Sequence, residues 1–98
     1  MAKTQTASKT QTTLAYPQRY NVLFLNDDFT PVAFVIHLLI EIFNKDLDRA
    51  QDITMEVHDH GKAVVGTYSY EVAEQKVHEA IIVARHSGHP LQIILEAV

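Results

Sequence analysis

The most constraining feature of this sequence is a segment, residues 32–43, whose apolar side chains nearly encircle a predicted helix. One stripe recurs at helical spacing and is formed by Val32, Val35, Ile36, Leu39, Ile40 and Phe43. A second stripe is formed by Phe34, Leu38 and Ile42. A helix that is apolar on most of its surface has to be covered. One domain is expected for 98 residues, so this helix is contacted on two sides or borders an apolar pocket.

Strand and capping signals divide the rest of the chain into short elements. Residues 20–25 and 91–96 alternate as strands do, and residues 63–68 are typical of a third strand. Residues typical of helix starts and stops mark three helices: Thr30 as N-cap with Pro31 as the first helical residue, Asp46 with Gly61, and Ser69 with Gly88. This order predicts an α+β domain of two layers, in which three helices pack on a three-stranded antiparallel sheet with one face partly open.

Residues 1–16 differ in composition from the rest of the chain. They hold five Thr, two Gln and one Ser, and the first 26 residues contain no acidic side chain. Such a segment buries too little apolar surface to offset the entropy of ordering. We therefore predict a flexible N-terminal extension over 1–16 and a folded core over 17–98. The alternative is a remnant of an organelle transit peptide, which is also acid-poor and rich in hydroxyl side chains.

Charge and composition argue against several classes of function. With a net charge of −4, the chain lacks the clustered Lys and Arg that phosphate binding needs, so no nucleic-acid partner is expected. Without cysteine, the chain forms no disulfides and no thiolate metal site. No apolar run approaches the roughly 20 residues of a membrane span, and the start has no apolar secretory segment. We expect a cytoplasmic protein with no membrane partner, the plastid stroma being the compartment left open.

A polar turn, Asn26-Asp27-Asp28, follows the first predicted strand directly and precedes a helix start. Its amide oxygen and its carboxylates are able to accept hydrogen bonds from an ammonium group. The same residue types are also common in turns that cap a following helix. The local sequence leaves both interpretations open.

His58, near the predicted end of the second helix, is another candidate for polar recognition. A neutral imidazole accepts a hydrogen bond from an amine, whereas a surface histidine at a helix C-terminus is the plainer interpretation. His58-Asp59-His60 also suggests a metal site, as do His86 and His89. A zinc site needs three or four converging ligands, so we predict no bound metal and no cofactor.

No arrangement in the sequence is typical of catalysis. Cysteine is absent, no Ser lies in a nucleophile-elbow pattern, and no Gly-rich phosphate loop occurs. Adjacent carboxylates at Asp27 and Asp28 do not establish the opposed pair that a glycosidase requires. We therefore predict a binding protein and not an enzyme.

Several short motifs occur together along the predicted fold. They are Asn26-Asp27-Asp28-Phe29-Thr30-Pro31, Phe34-Val35-Ile36, Val57-His58 with Gly61-Lys62-Ala63, Glu71-Val72-Ala73-Glu74 with Lys76-Val77, Gly88-His89-Pro90-Leu91, and Leu95-Glu96. In this order and spacing, over about residues 20 to 97, the chain resembles the ClpS family of N-end rule adaptors. The resemblance implies a three-stranded sheet packed by helices and an adaptor that delivers proteins to a Clp AAA+ protease.

The resemblance also implies a binding site for N-degrons, proteins that begin with a free amino group and a bulky residue such as Phe, Tyr, Trp or Leu. The family positions that hold the α-amino group correspond here to Asn26, Asp28 and His58. Asp27 corresponds to a residue near the peptide backbone that follows. The family's hydrophobic pocket corresponds to Phe24, Thr30, Val32, Val35, Thr54, Val57 and Leu91.

Two pocket positions depart from the best-known members, which have Met where this chain has Val32 and Thr54. Val is shorter and stiffer than Met, and Thr adds a hydroxyl to a mostly apolar wall. We expect binding of aromatic residues or Leu to be retained, with an altered ranking and a weaker exclusion of Ile or Val.

The resemblance further implies a partner, the N-terminal domain of a ClpA- or ClpC-type unfoldase. Glu71 and Lys76 correspond to positions on the docking face, although the sequence by itself makes them an ordinary solvated helix surface. The family's N-terminal tail takes part in delivery, and residues 1–16 share its polar composition without a matching motif. A monomer is expected.

Two other functions remain as alternatives. One is a generic protein-interaction domain, similar to the C-terminal domain of the ribosomal stalk protein, which would not require a free amine. The other is a small metal-binding regulatory protein.

Overall fold

The structure is a computed structural model that describes residues 18–98, so the predicted extension at 1–16 lies outside the described residues. The strands are β1 (Arg19–Leu25), β2 (Lys62–Ser69) and β3 (Gln92–Ala97). The helices are α1 (Val32–Glu41), α2 (Leu47–His60) and α3 (Tyr70–His86). The chain order is βααβαβ, as predicted.

β1 is the central strand of an antiparallel sheet with the order β2-β1-β3. Val22 and Phe24 are fully buried in the core shared with the helices, and Leu23 on the opposite face is 3% exposed. The prediction of a strand buried on both faces is therefore confirmed at its centre. Val64 and Ile94, which flank Leu23 on the neighbouring strands, are exposed, so the sheet face away from the helices is partly open.

The predicted caps of the second and third helices are confirmed. Asp46 Oδ1 accepts the N–H of Arg49 at 2.8 Å and begins α2. Gly61 ends α2 with a φ of 86°, a left-handed conformation that favours glycine. Ser69 Oγ accepts the N–H of Val72 at 3.4 Å at the start of α3.

The predicted cap of the first helix was wrong by one residue. Pro31 is the N-cap, and Val32 is the first helical residue. The hydroxyl of Thr30 does not cap the helix but donates to Asp27 Oδ2 at 2.8 Å. This hydrogen bond orients the Thr30 hydroxyl towards the turn.

The core lies between the sheet and the helices. Its largest fully buried side chains are Val22, Phe24, Leu38, Leu39, Ile53, Val65 and Leu91. The predicted covering of α1 is confirmed along most of its length, but Val32 at its first residue is 56% exposed. Within residues 18–98, none of the helices combines the length and the apolar character that crossing a bilayer requires.

Candidate functional site

A backbone hydrogen bond joins the turn after β1 to the end of α2. The N–H of Asn26 donates to the carbonyl of Gly61 at 2.9 Å, beside the point where Leu25 pairs with Lys62 in the sheet. His58 lies in the last turn of α2, three residues before Gly61. The two polar candidates, which are far apart in sequence, therefore lie at the same end of the sheet.

A cavity of about 250 Å³ opens where these segments meet. It is lined by Leu25, Asn26, Asp27, Asp28, Thr30, Val32, Val35, Thr54, Val57, His58 and Leu91. The structure brings together the three residues predicted to bind an amine, the residue predicted to lie near a peptide backbone, and all but one of the predicted pocket residues.

The cavity has an apolar floor and a polar rim. The side chains of its floor are all less than a tenth exposed, and they are Val35, Thr54, Val57 and Leu91. The exposed side chains of its rim are Asn26, Asp28, Val32 and His58. A ligand with one polar end and one apolar branch fits such an arrangement.

The polar side chains of the rim have no hydrogen-bond partner among residues 18–98. Within residues 18–98, the amide of Asn26, the carboxylate of Asp28 and the imidazole of His58 make no hydrogen bond to the protein. Each offers an acceptor atom: an amide oxygen, a carboxylate oxygen and, in the neutral ring, an imidazole nitrogen. All three acceptors are therefore free to take hydrogen bonds from a ligand.

Asp27 also lines the cavity, but the surrounding turn uses its carboxylate. Oδ1 accepts the N–H groups of Phe29 and Thr30, and Oδ2 accepts the Thr30 hydroxyl, each at 2.8 Å. Burial alone would raise the pKa of Asp27, but these hydrogen bonds, with the charge of His89, lower it below its usual value. Asp27 therefore shapes the turn that carries its two polar neighbours.

Thr54 makes the floor less polar to a ligand than its residue type suggests. Its hydroxyl donates to the carbonyl of Ala50, one turn earlier in α2, at 2.8 Å. The hydroxyl proton is therefore unavailable to a ligand. Because its hydroxyl is bonded within the helix, Thr54 differs from the Met of the best-known family members chiefly by its shorter side chain.

Phe24 is the predicted pocket residue that does not line the cavity. It is fully buried, and its ring meets that of Phe43 edge-to-face with centroids 5.5 Å apart. The alternation of β1 directs Phe24 into the main core, and the structure does not bring it to the cavity lining. Leu25, which no sequence motif singled out, lines the cavity. Its position directly before the polar turn was the available signal.

The histidine pairs lie in segments that the structure describes. Within the part of the chain that the structure describes, no group of three or more His, Cys, Asp or Glu side chains is placed to hold a metal ion. His58-Asp59-His60 is therefore better explained as the end of α2, with His58 at the cavity rim.

The two residues predicted to dock an unfoldase differ in their surroundings. Glu71 is exposed in the first turn of α3. Lys76 is half-buried: its Nζ donates to the carbonyl of Ile42 at 2.9 Å and lies 6.0 Å and 5.7 Å from the ring centres of Phe43 and Tyr68. Glu71 is free to meet a partner, whereas Lys76 ties α3 to the end of α1.

The comparisons with known proteins point to one family. Residues 15–94 match the sequence model of ClpS, described as the ATP-dependent Clp protease adaptor protein ClpS. The ATP-dependent Clp protease adapter protein ClpS of Brucella canis is 45% identical over 93 residues, which cover 95% of this chain and 80% of that protein. The protein of the same name from Phenylobacterium zucineum is 48% identical over 93 residues, covering 95% of this chain and 82% of that one.

A solved structure shares the fold. Agrobacterium tumefaciens ClpS2 bound to L-phenylalaninamide superposes with a TM-score of 0.82 at 35% sequence identity. The match covers 85% of this chain and all of that one. The α+β fold predicted from the sequence is confirmed by this likeness.

Proposed function

This chain belongs to the ClpS family of ATP-dependent Clp protease adaptor proteins, and from that premise we propose that its cavity captures the first residue of proteins destined for the protease. One observation carries the proposal: three polar side chains that have no partner within the described residues surround the mouth of a cavity whose floor is apolar. The free amino group would lie at the rim, and the first side chain would fill the floor.

The rim suits an ammonium group in particular. A free amino terminus has a reference pKa of about 7.7–8.0, so near neutral pH it is largely protonated and offers three donors. Asn26, Asp28 and His58 offer three acceptors of different kinds. An internal residue has a single peptide N–H and a continuing chain, so it leaves acceptors unpaired. The rim therefore selects the end of a chain.

The floor selects a bulky apolar side chain. Burying a Leu or Phe side chain is worth about 1.5–3 kcal/mol. An engineered apolar cavity of about 150 Å³ holds benzene, so a cavity of about 250 Å³ has room for an aromatic ring. A small first residue such as Ala would leave most of this volume unfilled, and binding would lose most of the burial energy.

The ligand of the structural neighbour supports this assignment. L-Phenylalaninamide, which is bound to Agrobacterium tumefaciens ClpS2, carries a free α-amino group, a benzyl side chain and an amide in place of the carboxylate. It is the chemical equivalent of the first residue of a peptide that begins with Phe. We infer that this chain takes ligands of the same chemistry, with Phe, Tyr, Trp or Leu as the first residue.

The proposal includes a partner and a place of action. Family membership supports docking of a monomer on the N-terminal domain of a ClpA- or ClpC-type unfoldase in the cytoplasm. Exposed Glu71 on α3 is the residue proposed to contact that domain, and Lys76 supports it by joining α3 to α1. The protein acts by binding and delivery, without a chemical step of its own.

Amine recognition is tested by titrating the protein with a peptide that begins with Phe and with its N-acetylated twin. Acetylation is expected to weaken binding more than about tenfold, because the acceptors of the rim lose their donors. The His58→Ala variant is expected to weaken binding of the free peptide by about tenfold for the same reason. His60→Ala, an exposed histidine two residues away that does not line the cavity, is the matched control and should bind as wild type does.

Equal affinity for the two peptides would contradict amine recognition and favour a generic protein-interaction domain. Loss of peptide binding on addition of a chelator, together with zinc in the purified protein, would favour the metal-binding alternative.

A further inference from the structure

The turn between α3 and β3, residues 87–91, supplies one wall of the cavity. Leu91 lies in the cavity lining and is only 1% exposed. Gly88 follows α3 with a left-handed φ of 80°, as predicted for a helix stop, and the N–H of His89 donates to the carbonyl of Ala84 at 2.9 Å. This helix ending fixes the backbone as far as His89. Leu91 lies two residues beyond the last of these bonds.

The guanidinium of Arg85 reaches the part of the turn that the helix ending does not fix. Its Nη1 donates to the carbonyl of His89 at 2.9 Å and to the carbonyl of Leu91 at 2.8 Å. The planar guanidinium presents its donors in fixed directions, so two bonds from one group restrict the turn more than two independent ones. No other side chain within residues 18–98 donates to the backbone of residues 87–91.

Core packing holds the buried end of the turn, where Leu91 lies in the core and the next residue, Gln92, pairs with Leu25 of β1. The ring of His89 meets the ring of Phe34 on α1 edge-to-face, with centroids 4.6 Å apart. On its other side the turn borders a second hollow, lined by Arg85, Gly88, His89, Pro90 and Gln92. The Arg85 bonds therefore add a restraint on the solvent side of the turn and complement the core packing of Leu91.

We propose that Arg85 is a positioning residue that holds the Leu91 wall and thereby sets the fit of the cavity for a bulky first side chain. The inference rests on the proposed function of the cavity. Arg85 does not itself line the cavity, so it acts through the turn and not through the ligand. The amine contacts come from Asn26, Asp28 and His58, on other segments, and do not depend on this wall.

The test compares Arg85→Met, which keeps the aliphatic stem and removes the donors, with Arg49→Met, a control on α2. The exposed Arg49 side chain makes no hydrogen bond within the described residues, so its replacement removes an equal charge and no hydrogen bond. Peptides beginning with Phe, with Ala and with acetylated Phe are titrated against each variant.

Arg85→Met is expected to weaken Phe binding by roughly three- to tenfold and Ala binding less, because interactions within one network couple on this scale. The factor lost on acetylation should match that of wild type, and Arg49→Met should bind all three peptides as wild type does.

The Phe-to-Ala affinity ratio separates positioning from a merely structural role. If the substitution only lowers the fraction of folded protein, the apparent affinity for every peptide falls by the same factor and the Phe-to-Ala ratio stays unchanged. That result would overturn the proposal. Should Arg85→Met fail to fold, Arg85→Lys gives the same test. Its Phe-to-Ala affinity ratio is expected to lie between those of wild type and a variant without the Arg85 bonds. The Leu91 methyl resonance of the free protein is expected to shift. If acetylation still weakens binding but Arg85→Met leaves the Phe-to-Ala affinity ratio unchanged, only this inference is rejected. If acetylation does not weaken binding to wild type, the proposed function itself is rejected.

Discussion

Thr54 is a polar residue in an otherwise apolar floor, yet its hydroxyl is committed to the carbonyl of Ala50. Thr54→Val removes only the hydroxyl and keeps a side chain of nearly the same shape. We expect affinity for a peptide beginning with Phe to stay within about twofold, because the lost hydrogen bond lies inside α2 and its net contribution is small. Calorimetric titration measures this. If Thr54→Val lowered the affinity for a peptide beginning with Tyr but not for one beginning with Phe, the Thr54 hydroxyl would face the ligand instead.

Asp27 gives the molecule a pH-dependent contribution to stability. Hydrogen bonds from Phe29 and Thr30 outweigh burial and lower the pKa of its carboxyl in the folded state. The contribution is fully present above the unfolded pKa, about 3.9, and is lost as pH falls through the lower folded pKa. Asp27→Asn is therefore expected to destabilise the protein by about 1 kcal/mol at pH 7, because hydrogen bonds to a charged acceptor are worth about that much more than bonds to a neutral one.

Urea unfolding at a series of pH values checks this, with Asp52→Asn on the exposed face of α2 as the control. The stability difference between wild type and Asp27→Asn should shrink as the solution is acidified towards the folded pKa. A difference that persists unchanged in acid would contradict the assignment of these bonds to the ionised carboxylate.

β2 depends on a glycine beneath an aromatic ring. A Cβ added at Gly66 would lie 2.5 Å from the hydroxyl oxygen of Tyr68 and within 3 Å of its ring carbons. Gly66→Ala therefore displaces the Tyr68 ring, which also lies beside Lys76 of α3. We expect a net loss of at most about 1 kcal/mol in the free energy of unfolding, because the ring end is able to move aside and Ala is favoured over Gly inside a strand by about 0.5–1 kcal/mol.

A double-mutant cycle with Tyr68→Ala isolates this contact. Without the ring, adding the methyl group at position 66 should cost much less than in wild type. An equal cost in both backgrounds would show that the strand backbone, and not the ring, resists the substitution.

The ends of the helices were predictable from local chemistry. The surroundings of the β1 side chains were predictable only in part. Asp46, Ser69 and Gly61 act as the sequence indicates because a cap needs only its own turn. Thr30 does not, because the helix begins after Pro31 and the Thr30 hydroxyl donates to the carboxylate three residues earlier. The place of Phe24 in the main core depends on which face of β1 the helices cover, and an apolar alternation fits either face.

The strand order of the whole molecule explains why the site exists. Because β1 is central and both neighbours are antiparallel, its carboxyl end lies beside the starts of β2 and β3, where Leu25 pairs with Lys62 and with Gln92. The polar turn, the end of α2 and the turn that carries Leu91 therefore meet at one edge of the sheet. Periodicity predicts the elements but not this strand order, so the convergence of Asn26 with His58 followed only from the family resemblance.

The location of a bound first residue tests the central claim most directly. Intermolecular nuclear Overhauser effects are measured between a peptide beginning with Phe and the methyl-labelled protein. We predict contacts from the aromatic protons of that Phe to the methyl groups of Val35, Val57 and Leu91, which form the cavity floor. Contacts confined to Val64 and Ile94, on the open face of the sheet, would place the peptide elsewhere and contradict the account.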